Sequence, residues 1–253
     1  MDGLYCRIPM EYLVVKEEWY SDELKKIPLI RAGHRRGNEV YRIYSEDLKS
    51  YREISRSSSR WDKAKRTCDK CDRIREILSV IRSLKKESIR RKSTRSYCVK
   101  NLDNKYGIKF YESLIDGSCP TKNDSKYCYK GRAYRSRAEM VFAILLDELG
   151  LEFKYDVLLK IDGKDYTVDF VIVFKEFNRC IFIEYFGACQ DRDRNRKNSL
   201  KVEHFTNDGI YPGRDLFIFS GDEGYMPGKD MIKGFLIAII ASLCDYHIGF
   251  VEE

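Results

Sequence analysis

Tyr166-Thr167-Val168-Asp169-Phe170-Val171-Ile172-Val173-Phe174 and, a few residues later, Cys180-Ile181-Phe182-Ile183-Glu184-Tyr185-Phe186-Gly187 are two apolar runs that each carry one carboxylate. Their β-branched and aromatic content reads as strands of a covered sheet. An ionised carboxylate inside an apolar strand is costly unless it is paired or bound to a metal. One such residue would read as a salt-bridged structural group. Two on consecutive strands point to a shared cation.

The surrounding pattern supplies the rest of the fold. Upstream, Glu152 to Ile161 is a third β-like run, joined to the first by Asp162-Gly163, a favoured hairpin dipeptide. Before it, Ala138, Val141, Phe142, Leu145, Leu146 and Leu149 form a helical stripe that stops at Gly150. Downstream come a polar helical segment from Asp191 to Asn207, a short buried strand from Leu216 to Phe219, and an apolar helix from Asp230 to Cys244. The order helix, three strands, helix, strand, helix predicts an α/β domain with a mixed four-stranded sheet flanked by helices.

Hydrolysis of a phosphodiester needs charge neutralisation at the phosphate and an activated water, and a carboxylate-held Mg²⁺ or Mn²⁺ supplies both. Asp169 and Glu184 are the expected ligands. Glu139, in the first turn of the preceding helix (Arg135-Ser136-Arg137-Ala138-Glu139), is expected to bind a second metal or to orient a water.

Arg135 to Glu139, Phe153-Lys154-Tyr155-Asp156, Val168-Asp169-Phe170 and Ile183-Glu184-Tyr185-Phe186-Gly187 follow one another in an order that resembles one branch of the PD-(D/E)xK, or restriction-endonuclease-like, nuclease superfamily. The resemblance runs from about Arg132 to Phe219 and leaves the N-terminal half outside it. It implies a restriction-endonuclease-like core, a hydrolase cutting nucleic acid with Mg²⁺ or Mn²⁺, the Tyr185 carbonyl as a further metal ligand, and products with a 5′-phosphate. The superfamily's lysine, two positions after the strand Glu, is replaced by Phe186 here. In the branch this chain resembles, a lysine stands on the following helix instead. Leu200-Lys201-Val202-Glu203-His204-Phe205 fits that pattern, so Lys201 is the expected relocated lysine, with Lys197 one turn earlier as the fallback. Gln190 is a weaker candidate for contact with substrate or metal-bound water.

The 253 residues split by charge. Residues 1–134 carry 32 Lys and Arg against 19 Asp and Glu, whereas residues 135–253 carry 15 against 21. A basic arm for a polyanion and an acidic body for cations are expected, with domains at 1–131 and 132–253. The basic region reads as mostly helical: Tyr12-Leu13-Val14-Val15 is β-like, helical patterning begins at Ser45, and Ile74, Ile77, Leu78, Ile81 and Leu84 mark a long helix from Trp61 to Arg95. Arg90, Arg91 and Lys92 on that helix, with Arg132, Arg135, Arg137 and Lys197 beside the predicted site, are the expected nucleic-acid contacts.

Nine cysteines and no secretory pattern after Met1-Asp2-Gly3 predict free thiols in a reducing, cytoplasmic setting. Cys68-x-x-Cys71 has zinc-knuckle spacing, and Cys98, Cys119 and Cys128 could complete such a site. No second close pair accompanies it, so structural zinc is the lesser expectation. His34, His204 and His247 have no ligand spacing, and Gly224 to Lys229 is not a phosphate loop, so no ATPase motor is expected in this chain. Gly234 to Cys244 is too short for a membrane span. DNA is favoured over RNA as partner. A homodimer or a helicase or ATPase partner, and endonuclease or exonuclease action, stay open. The alternative reading is a catalytically degenerate nuclease fold that serves as a binding or structural subunit.

Overall fold

A computed structural model describes residues 8–88, 97–99, 104–121, 123–187, 190–221 and 226–250. They fall into two compact units, one within Leu13–Lys92 and one built from residues of Met1–Tyr12 and Ser93–Glu253.

The first unit opens within helix α1 (Met10–Lys25), at Leu13, and continues through strands β1 (Ile30–Arg35), β2 (Asn38–Ser45) and β3 (Ser50–Ser55) into the long helix α2 (Trp61–Ser88). The strands form an antiparallel meander in the order β1-β2-β3. Arg36 and Gly37, both at positive φ, close the first hairpin as a two-residue turn of the type that matches strand twist. Two expectations are corrected. Tyr12 to Val15 is helical, because Tyr12, Leu13, Val15, Lys16 and Tyr20 are buried at helical spacing. Residues 50–55 form a strand, so the basic region combines a sheet with its helices. The expected helix from Trp61 is present to Ser88; Arg90, Arg91 and Lys92 lie outside the described residues. This unit concentrates the charge, with 23 Lys and Arg against 13 Asp and Glu between Leu13 and Lys92, a net of +10.

Cys68 and Cys71 point into the core of the unit, among Ile30, Tyr41 and Ala64. Burial pushes both thiols up, which disfavours the thiolate that zinc requires.

The second unit contains β4 (Tyr97–Val99), α3 (Ile108–Ser113), the short pair β5 (Tyr127–Tyr129) and β6 (Arg132–Tyr134), α4 (Arg137–Glu148), β7 (Glu152–Ile161), β8 (Lys164–Phe174), β9 (Arg179–Phe186), α5 (Arg192–Asn207), β10 (Leu216–Ser220), α6 (Lys229–His247) and β11 (Ile248–Phe250). Its centre is a mixed four-stranded sheet in the order β10-β9-β8-β7. β10 runs parallel to β9, and the other neighbours are antiparallel. The expected order of helix, three strands, helix, strand and helix is present, in a chain of mixed α/β class. The expected boundary at 131/132 does not coincide with the structural one at Lys92/Ser93. Tyr106 and Tyr111 pack with Val157, Val171 and Phe182, which draws residues 104–114 into this unit.

One sheet face packs against α5 through Val171, Val173, Phe182 and Phe205. On α4, Phe142 meets Phe170 and Phe219 at ring separations of 6.0 and 4.6 Å. Among the described residues no helix is long and apolar enough to cross a membrane.

Candidate active site

A regular strand alternates faces at every residue. On β7, Val157, Leu159 and Ile161 join the core cluster that contains α5's Phe205, whereas Tyr155 packs on Phe170 and hydrogen-bonds to α4. All four positions are odd, so the alternation changes phase between them. The cause is Asp156, a non-glycine residue at φ 56°. On β8 the matching change falls at Asp169: Tyr166 and Val168 share a cluster with Val171 and Val173. Ladder pairing skips these two positions, running from Tyr155↔Phe170 directly to Val157↔Val168. The sheet is therefore irregular where its carboxylate sits. Such irregularities cluster at functional sites.

Asp169 also lies one step beyond Phe170↔Ile183, the last pair of the β8–β9 ladder, which brings it level with Glu184. The Tyr185 amide donates to Asp169 Oδ2 at 2.7 Å. From α5, Lys201 Nζ donates to the Thr167 carbonyl at 2.6 Å and lies 2.6 Å from Glu184 Oε1. The lysine side chain is 17% exposed and that of Glu184 5%. Although the ammonium is close, Glu184 Oε1 receives no well-aligned hydrogen bond. Asp169, Glu184 and Lys201 thus lie together, while Lys197 is exposed on the same helix.

Two carboxylates compete for one ammonium. Burial, then Glu184 and Glu139, hold the Asp169 carboxyl well above the usual range, against the opposing pull of Lys201 and the Tyr185 amide. Burial likewise raises Glu184, with Lys201 opposing.

Glu139 is placed differently. Ser136 caps α4 by accepting from the Glu139 amide at 3.1 Å, and its hydroxyl donates to Glu139 Oε1 at 2.8 Å. Glu139 Oε2 accepts from the Arg135 amide at 3.1 Å and the Tyr155 hydroxyl at 2.5 Å. Both oxygens are engaged within the protein, so Glu139 acts on Asp169 through charge and through the position of α4.

The flanking arginines are also held. Arg135 forms a two-pronged pair with Asp156 at 3.0 and 2.9 Å and donates to Cys119 Sγ and the Thr121 carbonyl. Arg132 pairs with Asp116 at 2.8 Å and lies over the Tyr155 ring. Arg137 is exposed, as is Gln190. His204 bridges Asp162 at 2.8 Å and Lys164 at 2.9 Å, which ties α5 to the β7–β8 turn.

Sequence reasoning quoted Tyr155 and Asp156 within one motif but gave neither a role, and it missed the Thr167 carbonyl. The first two belong to a strand whose apolar spacing shows no break, and the third is backbone. Exposed Arg192 and Arg196, on the turns of α5 leading to Lys201, were readable as charge on a helix but were not singled out.

No family model, curated protein or solved structure matches the chain significantly.

Proposed function

We propose that the second unit is a divalent-cation-dependent nuclease with a restriction-endonuclease-like core, acting on DNA. The observation that carries this reading is the meeting of Asp169 and Glu184 across adjacent strands with Lys201 at 2.6 Å from Glu184.

The donor set fits a hard cation. Glu184 Oε1 is buried without an aligned hydrogen bond, and the Asp169 carboxylate lies beside it with Oδ2 held by the Tyr185 amide. Asp169 and Glu184 would hold Mg²⁺ or Mn²⁺, with the Tyr185 carbonyl as the further ligand implied by the resemblance. A cation bound there supplies phosphate neutralisation and a more acidic water. The protein's own groups do the rest. Lys201, fixed by the Thr167 carbonyl, presents its ammonium beside Glu184, where it can position a nucleophile and oppose charge developing on the phosphate. The Tyr185 amide keeps the Asp169 carboxylate in one orientation. Arg192, Arg196 and Lys197, near the electropositive start of α5, are set to meet the phosphate backbone. The first unit, at net +10, supplies a sequence-independent grip.

The deciding experiment incubates the full chain and Asp169→Ala with linear, circular and single-stranded DNA in Mg²⁺, Mn²⁺ or EDTA. Cleavage lost with EDTA and with Asp169→Ala is the expected result. Cleavage of the circular substrate identifies endonuclease action. Salt-sensitive binding by both proteins with no cleavage on any substrate overturns the enzyme reading in favour of the binding role.

A further inference from the structure

The meander of the first unit has one face committed and one open. Ile30, Tyr41, Ile43 and Ile54 pack with Ala64, Cys68 and Cys71 of α2 and form its core. Alternation along each strand sends the intervening residues to the opposite side. Across the strands Arg31 pairs with Arg42 and Arg42 with Glu53, while Tyr44 pairs directly with Tyr51. These side chains therefore share the face turned away from α2, and Arg35, two and four residues on from Gly33 and Arg31, joins them.

The aromatic part of this face stands in water. Tyr51 is 41% exposed, with the Arg31 guanidinium 4.3 Å from its ring centre and the Tyr44 ring edge-on at 5.4 Å. The core lies on the other side of the sheet, so Tyr51 contributes nothing to it. The charge is positive. Arg35 and Arg42 share Glu53, at 3.0 and 3.4 Å, whereas among the described residues Arg31 meets no carboxylate. Three arginines against one glutamate leave the face with two positive charges in excess.

A chain of repeating negative charge with flat rings between the charges complements this arrangement. Bases stack on aromatic rings and on guanidinium planes alike, so the Tyr51–Arg31 pair is suited to a base and the neighbouring arginines to phosphates. A duplex keeps its bases stacked inside and offers only phosphates. A strand with unpaired bases offers both. An acidic protein segment offers charge without the rings.

We propose that the open face of β1–β3 binds single-stranded nucleic acid, with a base stacked at Tyr51 and Arg31 and the flanking phosphates on Arg35 and Arg42. The proposal rests on the reading of the first unit as the grip on nucleic acid, and it specifies the form of nucleic acid gripped.

Fluorescence anisotropy of the full chain in EDTA reads binding apart from cleavage, using labelled oligo(dT), a duplex of equal length and an abasic strand of equal charge. Wild type is expected to hold oligo(dT) about tenfold more tightly than the abasic strand, equivalent to 1.4 kcal/mol and within the worth of one stacked base. Tyr51→Ala removes that margin, weakening oligo(dT) about tenfold while duplex and abasic binding stay within about twofold. Tyr51→Trp retains it, and the added indole fluorescence is quenched by oligo(dT). Arg31→Lys, which keeps the charge and loses the plane, weakens oligo(dT) more than the abasic strand. Equal binding of oligo(dT) and the abasic strand by wild type overturns the proposal. So do equal losses on duplex and oligo(dT) in Tyr51→Ala. Displacement by poly-glutamate as effective as by oligo(dT) at equal charge also overturns it, in favour of an acidic protein partner. Binding of duplex alone overturns it and leaves the grip, whereas binding of no nucleic acid removes both.

Discussion

Lys201 is bonded at its ammonium to two adjacent strands at once, donating to the Thr167 carbonyl of β8 at 2.6 Å and lying 2.6 Å from Glu184 of β9. One side chain from α5 therefore joins the helix to both carboxylate-bearing strands. It also supplies the cation that makes the buried Glu184 tolerable.

Removing that cation should unbalance the site. Lys201→Met is expected to lower unfolding free energy by about 3 kcal/mol, since it leaves a buried carboxylate without its partner. The double variant Lys201→Met/Glu184→Gln should recover most of the loss. Urea titration of the four proteins checks this. Additive losses in the double variant would show that the pair is not coupled.

Asp169 should make stability depend on pH in a defined sense. Its carboxyl is raised in the folded state, chiefly by burial. The folded protein therefore keeps a proton that the unfolded chain has released. This contribution is most favourable below the unfolded value near 3.9 and is lost as pH rises towards the folded value. Without divalent cations, Asp169→Asn should flatten that decline and melt above wild type at neutral pH. Mg²⁺ at about a hundred times its dissociation constant should stabilise wild type by about 2.7 kcal/mol, and leave Asp169→Asn unmoved. Thermal melts across pH, with and without Mg²⁺, read both effects. A variant that melts below wild type at neutral pH would contradict the assignment of charge strain.

Tyr155→Phe deletes the hydroxyl that joins the Arg135 amide to Glu139. The Arg135 amide retains its contact with Glu139, so the cost should be modest, about 1–2 kcal/mol. Glu139→Ala leaves the Ser136 and Tyr155 hydroxyls short of an acceptor, although the Arg135 amide keeps the Tyr155 hydroxyl, and should cost clearly more. The ranking in denaturant midpoints is the test; equal midpoints would mean that the bonds to Glu139 add little.

At Asp156 the backbone can be separated from the side chain. Glycine and alanine both abolish the pair with Arg135, but only glycine relaxes at φ 56°. Asp156→Gly should exceed Asp156→Ala in stability by about 1 kcal/mol. A reversed order would show that the positive φ is not what the position demands.

Much of the second unit was legible along the chain. The stripe from Ala138 to Leu149, the Asp162-Gly163 turn and the apolar runs about Asp169 and Glu184 are local patterns, and local patterns survive being read one residue at a time. Asp169 and Glu184 could be named because carboxylates in apolar strands need a reason to be there, and Lys201 because the resemblance implied a lysine on the following helix. The meander at β1–β3 was less legible, since its short strands show no clean alternation of buried and exposed positions. Tyr12 to Val15 misled because a short apolar run fits either period until its buried partners at Lys16 and Tyr20 are known.

Side-chain chemistry and periodicity are properties of the chain, and they sufficed for the element order from α4 to α6, the mixed α/β class and the identity of the carboxylates in apolar surroundings. What those groups meet depends on tertiary packing. Glu139 is closed off by Ser136, Arg135 and Tyr155, Arg135 is committed to Asp156, and Lys201 is anchored by a backbone carbonyl from another strand. The phase change at Asp156 and Asp169 belongs to the same class. Hydrogen-bond partners distant in sequence, and a left-handed residue chosen by them, leave no trace in spacing, because they are set by which strands and helices come to lie together.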